Sequence, residues 1–319
     1  MLLRYFAARR PDSAPNPGPG SLTQVTRTDR SDARELRHAV HEPLYDLLRG
    51  DSMADTVLYE VNDGLATIVL NRPEAMNALN VVTKEALRDA ARAAAEDSAV
   101  RAILLTAAGE QAFCVGQDLK EHVGLLAADQ KDGSGGTMST VREHYNPILR
   151  ALAEAPKPVV AAVNGVAAGA GFGFALAADY RIVADTASFN TSFAGVALTA
   201  DSGISWTLPR VIGAGRAMDL LLFPRKLRAQ EALELGIANR VVPGAELRAE
   251  AEAVARKLAE GPTLAYAALK ESVAFGQSHS LSEALEKEDE LQTRAGSSGD
   301  HVEAVRAFVE KRAPKFEGR

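Results

Sequence analysis

Twice in this chain a short, buried-type strand runs into a glycine-bearing turn and then into a helix start. The first instance is Ala102–Thr106, followed by Ala112-Phe113-Cys114-Val115-Gly116-Gln117-Asp118-Leu119. The second is Val159–Val163, followed by Asn164-Gly165-Val166-Ala167-Ala168-Gly169-Ala170-Gly171. Strands that feed helices in this way call for an α/β arrangement around a shared core. A helix start leaves backbone N–H groups without internal partners, and glycine lets another group approach where a Cβ would clash. Two such turns can aim one main-chain donor each at a single oxygen, which makes an oxyanion hole. Taken singly, each turn reads first as a close-packing device.

The flanking segments extend the pattern. Thr56–Val61 and Leu65–Leu70 are β-rich runs around Asn62-Asp63-Gly64, a hairpin signal. Asn80 is placed to cap a helix over about residues 81–96. A helix carrying Val141, Tyr145, Ile148, Leu149 and Leu152 on one face follows a glycine-rich loop at 132–136, which reads as a lid, and Pro147 should bend it. A small-residue helix is predicted over 169–178 and a strand at Arg181–Ala184. After about residue 229 the chain reads as helical throughout, with Gly261-Pro262 ending one helix and starting the next.

Residues 1–52 differ. Pro11, Pro15, Pro17 and Pro19 stand among scattered arginines with no apolar period, the signature of a disordered extension. Its basic opening, MLLRYFAARR, has the pattern of a transit peptide, but an over-long start or vector-derived leader ahead of Met53 is the preferred reading. The expected organisation is therefore an N-terminal extension at 1–52, a core at 53–245 and a helical portion at 246–319.

Several functions are excluded at this level. The net charge of −6 argues against general nucleic-acid binding. No run of 18 apolar residues occurs, so no membrane span is expected, and the balance suits a cytoplasmic protein. Cys114 is the only cysteine, which removes disulfide frameworks and Cys-rich metal sites, and the six histidines lack zinc-ligand spacing. Gly169-Ala170-Gly171 fails as a dinucleotide fingerprint because Phe174 stands where a third small residue is needed.

Four motifs, in order, carry a family resemblance. They are Asn71-Arg72-Pro73 through Asn77-Ala78-Leu79, then Phe113 through Leu119, then Lys157-Pro158-Val159 through Gly171, then Asp201-Ser202-Gly203 through Leu208-Pro209-Arg210. The ending Lys311-Arg312-Ala313-Pro314-Lys315-Phe316 matches as well. Over about residues 55–319 the chain resembles the enoyl-CoA hydratase/isomerase (crotonase) superfamily. The resemblance implies a crotonase-like spiral of ββα units with a helical C-terminal trimerisation portion. It also implies an acyl-CoA thioester as substrate and a homotrimer or hexamer as assembly. No cofactor is implied beyond the coenzyme A that the substrate carries. By motif position the oxyanion donors are the N–H groups of Gln117 and Ala170. Val115, Gly116, Asp118, Gly169, Gly171 and Tyr145 are expected to bind substrate.

The same resemblance asks for two glutamates in a hydratase. Gly173 and Phe193 occupy those positions, and neither carries a proton. Asp201 stands where isomerases of the superfamily place an acid, and 1,2-epoxyphenylacetyl-CoA isomerases of phenylacetate degradation are the subgroup with the nearest pattern. An isomerase acting on an epoxyphenylacetyl-CoA or a 3-enoyl-CoA is thus expected. A hydratase with displaced acids and a catalytically silent acyl-CoA-binding protein are the alternatives. Two readings stay open for Asp201, a general base or the N-cap of the next helix. Where the subgroup has Pro and Gly, this chain has Ala200 and Ile204, and Ile204 is expected to crowd the turn. Asp118 is read first as a helix cap or turn brace. Glu143 and His144 are read first as surface residues and second as part of the acyl pocket, Arg72, Lys120 and Lys270 equally as CoA-phosphate contacts or solvated side chains, and Cys114 as a packed residue.

Overall fold

The computed structural model describes residues 56–133 and 136–319. The expectations for 1–52, and the centre of the glycine-rich loop at 132–136, lie outside the described residues. Strands β1 (Val57–Asn62) and β2 (Leu65–Leu70) form an antiparallel hairpin. Its two-residue turn, Asp63-Gly64, has φ of 49° and 78°, the left-handed pair that matches the twist of a hairpin. Helix α1 (Val81–Glu96) starts at Asn80, whose Oδ1 accepts the Thr83 N–H at 2.9 Å. Its buried face is Thr83, Lys84, Leu87, Ala90, Ala91 and Ala94. The spacing is helical, but one member is a lysine.

From there each successive pair of strands divides between two sheets. β3 (Ala102–Ala107), β5 (Val159–Val163) and β7 (Tyr180–Ala184) join one sheet in parallel, while β4 (Ala112–Cys114), β6 (Val166–Ala168) and β8 (Ser188–Asn190) join the other, also in parallel. β9 (Leu227–Arg228) closes the second sheet antiparallel to β8, and β10 (Arg240–Val242) extends the first beside β7. The sheet orders are β1-β2-β3-β5-β7-β10 and β4-β6-β8-β9. Helix α2 (Leu119–Asp132) follows β4, and helix α4 (Ala170–Ala177) follows β6. A ββα unit that gives one strand to each sheet and then repeats is the expected spiral. β10 corrects the reading of everything after residue 229 as helix: three residues at a sheet edge carry no period of their own.

Pro147 also acts differently from expectation. Residues Val141–Tyr145 form one π-helical turn, closed by the Asn146 N–H on Val141 O, and α3 (Asn146–Ala153) begins immediately after. Proline cannot donate to the carbonyl four residues back. The wider turn absorbs that missing bond, so Pro147 sits in the first turn of α3 rather than kinking its middle.

Helices α5 (Ile204–Ile212), α6 (Ala214–Leu222) and α7 (Ala229–Glu234) follow, then α8 (Leu247–Ala259). α8 packs on β3, β5 and β7 through Leu247, Ala251, Ala255 and Ala259. The small alanines let helix and sheet approach closely. Helices α9 (Thr263–Gly276), α10 (Leu281–Gly296) and α11 (Gly299–Glu310) complete the chain. The final residues fold back onto α11: the buried Asp300 accepts the N–H groups of Glu317 at 2.7 Å and Gly318 at 2.9 Å. Arg101 holds the same tail through Phe316 O at 3.0 Å and reaches Gly261 O at 2.6 Å. Among the described residues no helix is long and apolar enough to cross a membrane.

Replacing Asp300 with Ala leaves two main-chain donors of the tail unmatched. The expected loss is about 1–3 kcal/mol of unfolding free energy, read by urea denaturation, with earlier proteolytic trimming of the last residues.

Candidate functional site

The first turn is fixed by a one-residue parallel bridge. Leu79 N–H donates to Gly116 O at 2.8 Å, and Asp118 N–H donates to Leu79 O at 3.1 Å. In that geometry Gln117, the bridged residue, turns its own N–H away from Leu79. Among the described residues nothing accepts from it. Asp118 caps α2, its Oδ1 accepting from Lys120 N–H at 3.1 Å and Glu121 N–H at 3.4 Å. Its other oxygen holds Arg72 at 3.1 Å. Burial pushes this carboxyl up, but the Arg72 guanidinium and the two N–H donors outweigh that and hold it below its ordinary value. Asp118 was expected both at the substrate and as a helix cap or turn brace; its two oxygens are engaged in the cap and in the Arg72 pair.

The second turn lies directly against the first. A Cβ built on Gly116 would stand 3.4 Å from the Ala170 nitrogen, and one built on Gly171 only 2.1 Å from the Cys114 carbonyl oxygen. Glycine at 171 is therefore a requirement of backbone-to-backbone contact. Ala170 is the first residue of α4, with Gly169 as its N-cap, so its N–H has no partner within the helix. The structure thus places the two expected donors on touching loops. Val115 and Gly169 are half-buried beside them.

Asp201 lies on a loop pressed against α4. A Cβ built on Gly173 would fall 2.3 Å from Ser202 O and 2.7 Å from Ser202 Cβ. The same loop borders a cavity of about 460 Å³ lined by Met138, Val141, Leu149, Leu198 and Asp201 among others. Ser202 Oγ donates to Asp201 Oδ1 at 2.9 Å, and no cation pairs with that carboxylate among the described residues. Burial raises its pKa, and the Ser202 hydrogen bond only partly opposes this. The capping alternative fails. α5 begins at Ile204 with Gly203 as its N-cap and no side-chain cap bond. Asp201 contributes only its carbonyl, which accepts the Ile204 N–H at 3.0 Å. Ile204 does not crowd this turn, because its side chain is fully buried in the hydrophobic core. Ser202 and Gly203, at φ of 48° and 71°, absorb the reversal.

Tyr145 was expected at the substrate. It is 3% exposed, and its hydroxyl donates to Gln117 Oε1 at 2.6 Å. Its ring packs edge-on to Phe174. Burial, then the nearby Asp201, push this phenol above its ordinary range. Lys84 reaches the same oxygen, Nζ to Oε1 at 3.2 Å, and also donates to Thr140 Oγ1 at 2.8 Å. Sequence reasoning missed Lys84. The only signal was its place on the apolar stripe of α1, three residues from Leu87.

The remaining candidates separate from the site. Glu143 is exposed and meets Arg142 at 3.4 Å. His144 faces Thr140 Oγ1 at 3.2 Å. Lys270 pairs with Asp179 at 2.7 Å and donates to Lys157 O, while Arg72 is tied to Asp118 and Ala78 O. Both of these cations are already partnered, and only Lys120 of the three stands exposed. Cys114 is buried, and that burial pushes its thiol up to about 12, so it is an inert packed residue. Among the described residues no three His, Cys, Asp or Glu side chains gather as a metal site.

Comparison with known proteins agrees with the fold. The family model described as Enoyl-CoA hydratase/isomerase matches residues 60–319. A Rhodobacter capsulatus protein described as "Probable enoyl-CoA hydratase" is 43% identical over 265 residues, 83% of this chain and 98% of its own. The 1,2-epoxyphenylacetyl-CoA isomerase of Escherichia coli is 39% identical over 267 residues, 84% of this chain and 100% of its own. A crystal structure from Mycobacterium abscessus, described as an enoyl-CoA hydratase/isomerase, superposes with a TM-score of 0.79 at 46% identity. That match covers 82% of this chain and 100% of the other.

Because Gly173 lies under the Ser202 backbone, no side chain fits there without displacing main chain. Gly173→Glu should lose about 3 kcal/mol or more of stability, read by urea denaturation. A variant as stable as wild type would show that the loop bearing Asp201 yields easily.

Proposed function

Given that the chain belongs to the enoyl-CoA hydratase/isomerase family, we propose that it is an acyl-CoA isomerase in which Asp201 moves a proton through an enolate. The observation that carries this reading is the pairing of a half-buried, uncompensated carboxylate at Asp201 with a Gly173 that cannot accept a glutamate. With Phe193 at the second hydratase position, Asp201 is left as the acid–base group beside the two donor turns.

The chemistry follows from one base. The Asp201 carboxylate takes the proton from the carbon beside the thioester carbonyl of a 3-enoyl-CoA. The C–H electron pair becomes the enolate double bond, and the carbonyl oxygen becomes an oxyanion facing the Gln117 and Ala170 N–H groups. Each such donor contributes about 3 kcal/mol in the transition state. The protonated Asp201 then returns its proton at the far end of the conjugated system, which yields the 2-enoyl-CoA and regenerates the carboxylate. Atoms balance without water or cofactor. An epoxide of phenylacetyl-CoA is the second substrate of this class, in keeping with the 39% identical isomerase.

The assembly we propose is a homotrimer or hexamer built on the C-terminal helices. On α9 and α11, Leu269, Val273, Val302, Val305, Phe308 and Val309 are all more than half exposed. A stripe of that kind is a docking surface rather than a solvent face. A Val305→Glu/Phe308→Glu double variant should run as a smaller species in light scattering, and an unchanged mass would remove this face from the interface.

Asp201→Asn should lower turnover of 3-enoyl-CoA by roughly 10²–10⁴-fold with acyl-CoA affinity retained. Undiminished turnover would remove Asp201 from this role. The base works ionised, so the raised pKa moves the acid limb of the wild-type rate profile above the ordinary aspartate range. The stability sign is opposite. A carboxyl whose folded pKa is raised stabilises the fold below its unfolded value, and this is lost as pH rises through the folded value. At neutral pH the Asn variant should therefore melt at the same temperature as wild type or higher.

A further inference from the structure

Lys84 is fully buried on the core face of α1, yet no carboxylate forms an ion pair with it among the described residues. Its ammonium is held by two neutral acceptors, Gln117 Oε1 and Thr140 Oγ1. Its amine is pushed below the ordinary lysine range by burial, opposed by the more distant Glu121, Asp118 and Glu85. Glu121, the first of these, is already occupied in accepting the Val81 N–H at 3.0 Å. An ammonium without a direct counter-ion is costly to bury. Features that work against the fold mark places where function overrides stability.

Its position indicates that function. Gln117 Oε1 has two lone pairs, and the structure fills both, with Tyr145 Oη at 2.6 Å and Lys84 Nζ at 3.2 Å. The main chain on either side of Gln117 is held by the Leu79 bridge. We propose that Lys84 is a positioning residue of the oxyanion hole, clamping the Gln117 side chain together with Tyr145 so that the Gln117 N–H stays aimed at the thioester oxygen. The negative charge developing there, one glutamine away, supplies the counter-charge that the lysine otherwise lacks. This role rests on the proposed enolate chemistry.

Lys84→Met tests it with little risk to folding. Methionine matches the length of the stem, Gln117 Oε1 keeps Tyr145, and Thr140 Oγ1 keeps His144. The melting temperature should stay level or rise. The probe is acetoacetyl-CoA, a thioester whose enolate absorbs in the near ultraviolet, with butyryl-CoA binding by calorimetry as the control. In Lys84→Met the enolate-forming equilibrium of the bound thioester should fall roughly 10- to 100-fold, with butyryl-CoA affinity changed less than about threefold. Gln117→Leu keeps the backbone N–H but removes Oε1. Adding Lys84→Met to it should produce little further loss. A Lys84→Met variant that holds the enolate as well as wild type, or losses that multiply in the double variant, would overturn the positioning role alone. Absence of any enolate band in wild type would overturn the enolate reading and this role together.

Discussion

The site depends on backbone touching backbone. β4 and β6 are adjacent strands of the smaller sheet, and the turns that follow them meet with no side chain between. A Cβ on Gly171 would penetrate the Cys114 carbonyl, and one on Gly165 would fall 2.4 Å from the Gln111 carbonyl. Main chain packed this closely has few ways to rearrange. Two N–H groups, of Gln117 and Ala170, that find no acceptor among the described residues are thereby held on adjoining turns. Preorganisation of this kind requires no reorientation of dipoles when charge appears.

Around that contact the protein accepts local electrostatic penalties. Asp201 is half-buried with Ser202 as its hydrogen-bond donor among the described residues, and Lys84 is buried against neutral oxygens. Tyr145 lies between them, its hydroxyl on Gln117 and its pKa sensitive to Asp201. The π-helical turn that ends at Tyr145 is part of the same economy. Pro147 cannot close an ordinary helical turn, and the bulge before it carries Tyr145, which shares Gln117 with the lysine, and His144, which meets the lysine's partner Thr140.

Much of this was legible beforehand, and the gaps have physical causes. Asn80 as a cap, Asp63-Gly64 as a turn and the strand-turn-helix succession at 159–177 follow from local rules, because each depends on neighbours in sequence. β6, β8 and β10 escaped notice since three residues are too few to show a period; they exist only through the strands beside them. Arg72 and Lys270 were candidates for phosphates because a cation in sequence has no visible partner. Their partners, Asp118 and Asp179, are 46 and 91 positions away. Lys84 shows the reverse error, a lysine on a helix being ordinarily a solvated one.

By itself the sequence determined the kind of protein: glycines at turns, the order of the motifs and the absence of acids at 173 and 193 are chemical facts that no folding alters. Only the tertiary structure decided which partner each polar group meets. It freed Asp201 from capping by starting α5 at Ile204, committed Asp118 and Tyr145 to bracing, and brought Lys84 across to Gln117. The reason is range. Conformational preference is set by the nearest few residues, whereas burial, pairing and pKa are set by whatever the fold carries in from elsewhere.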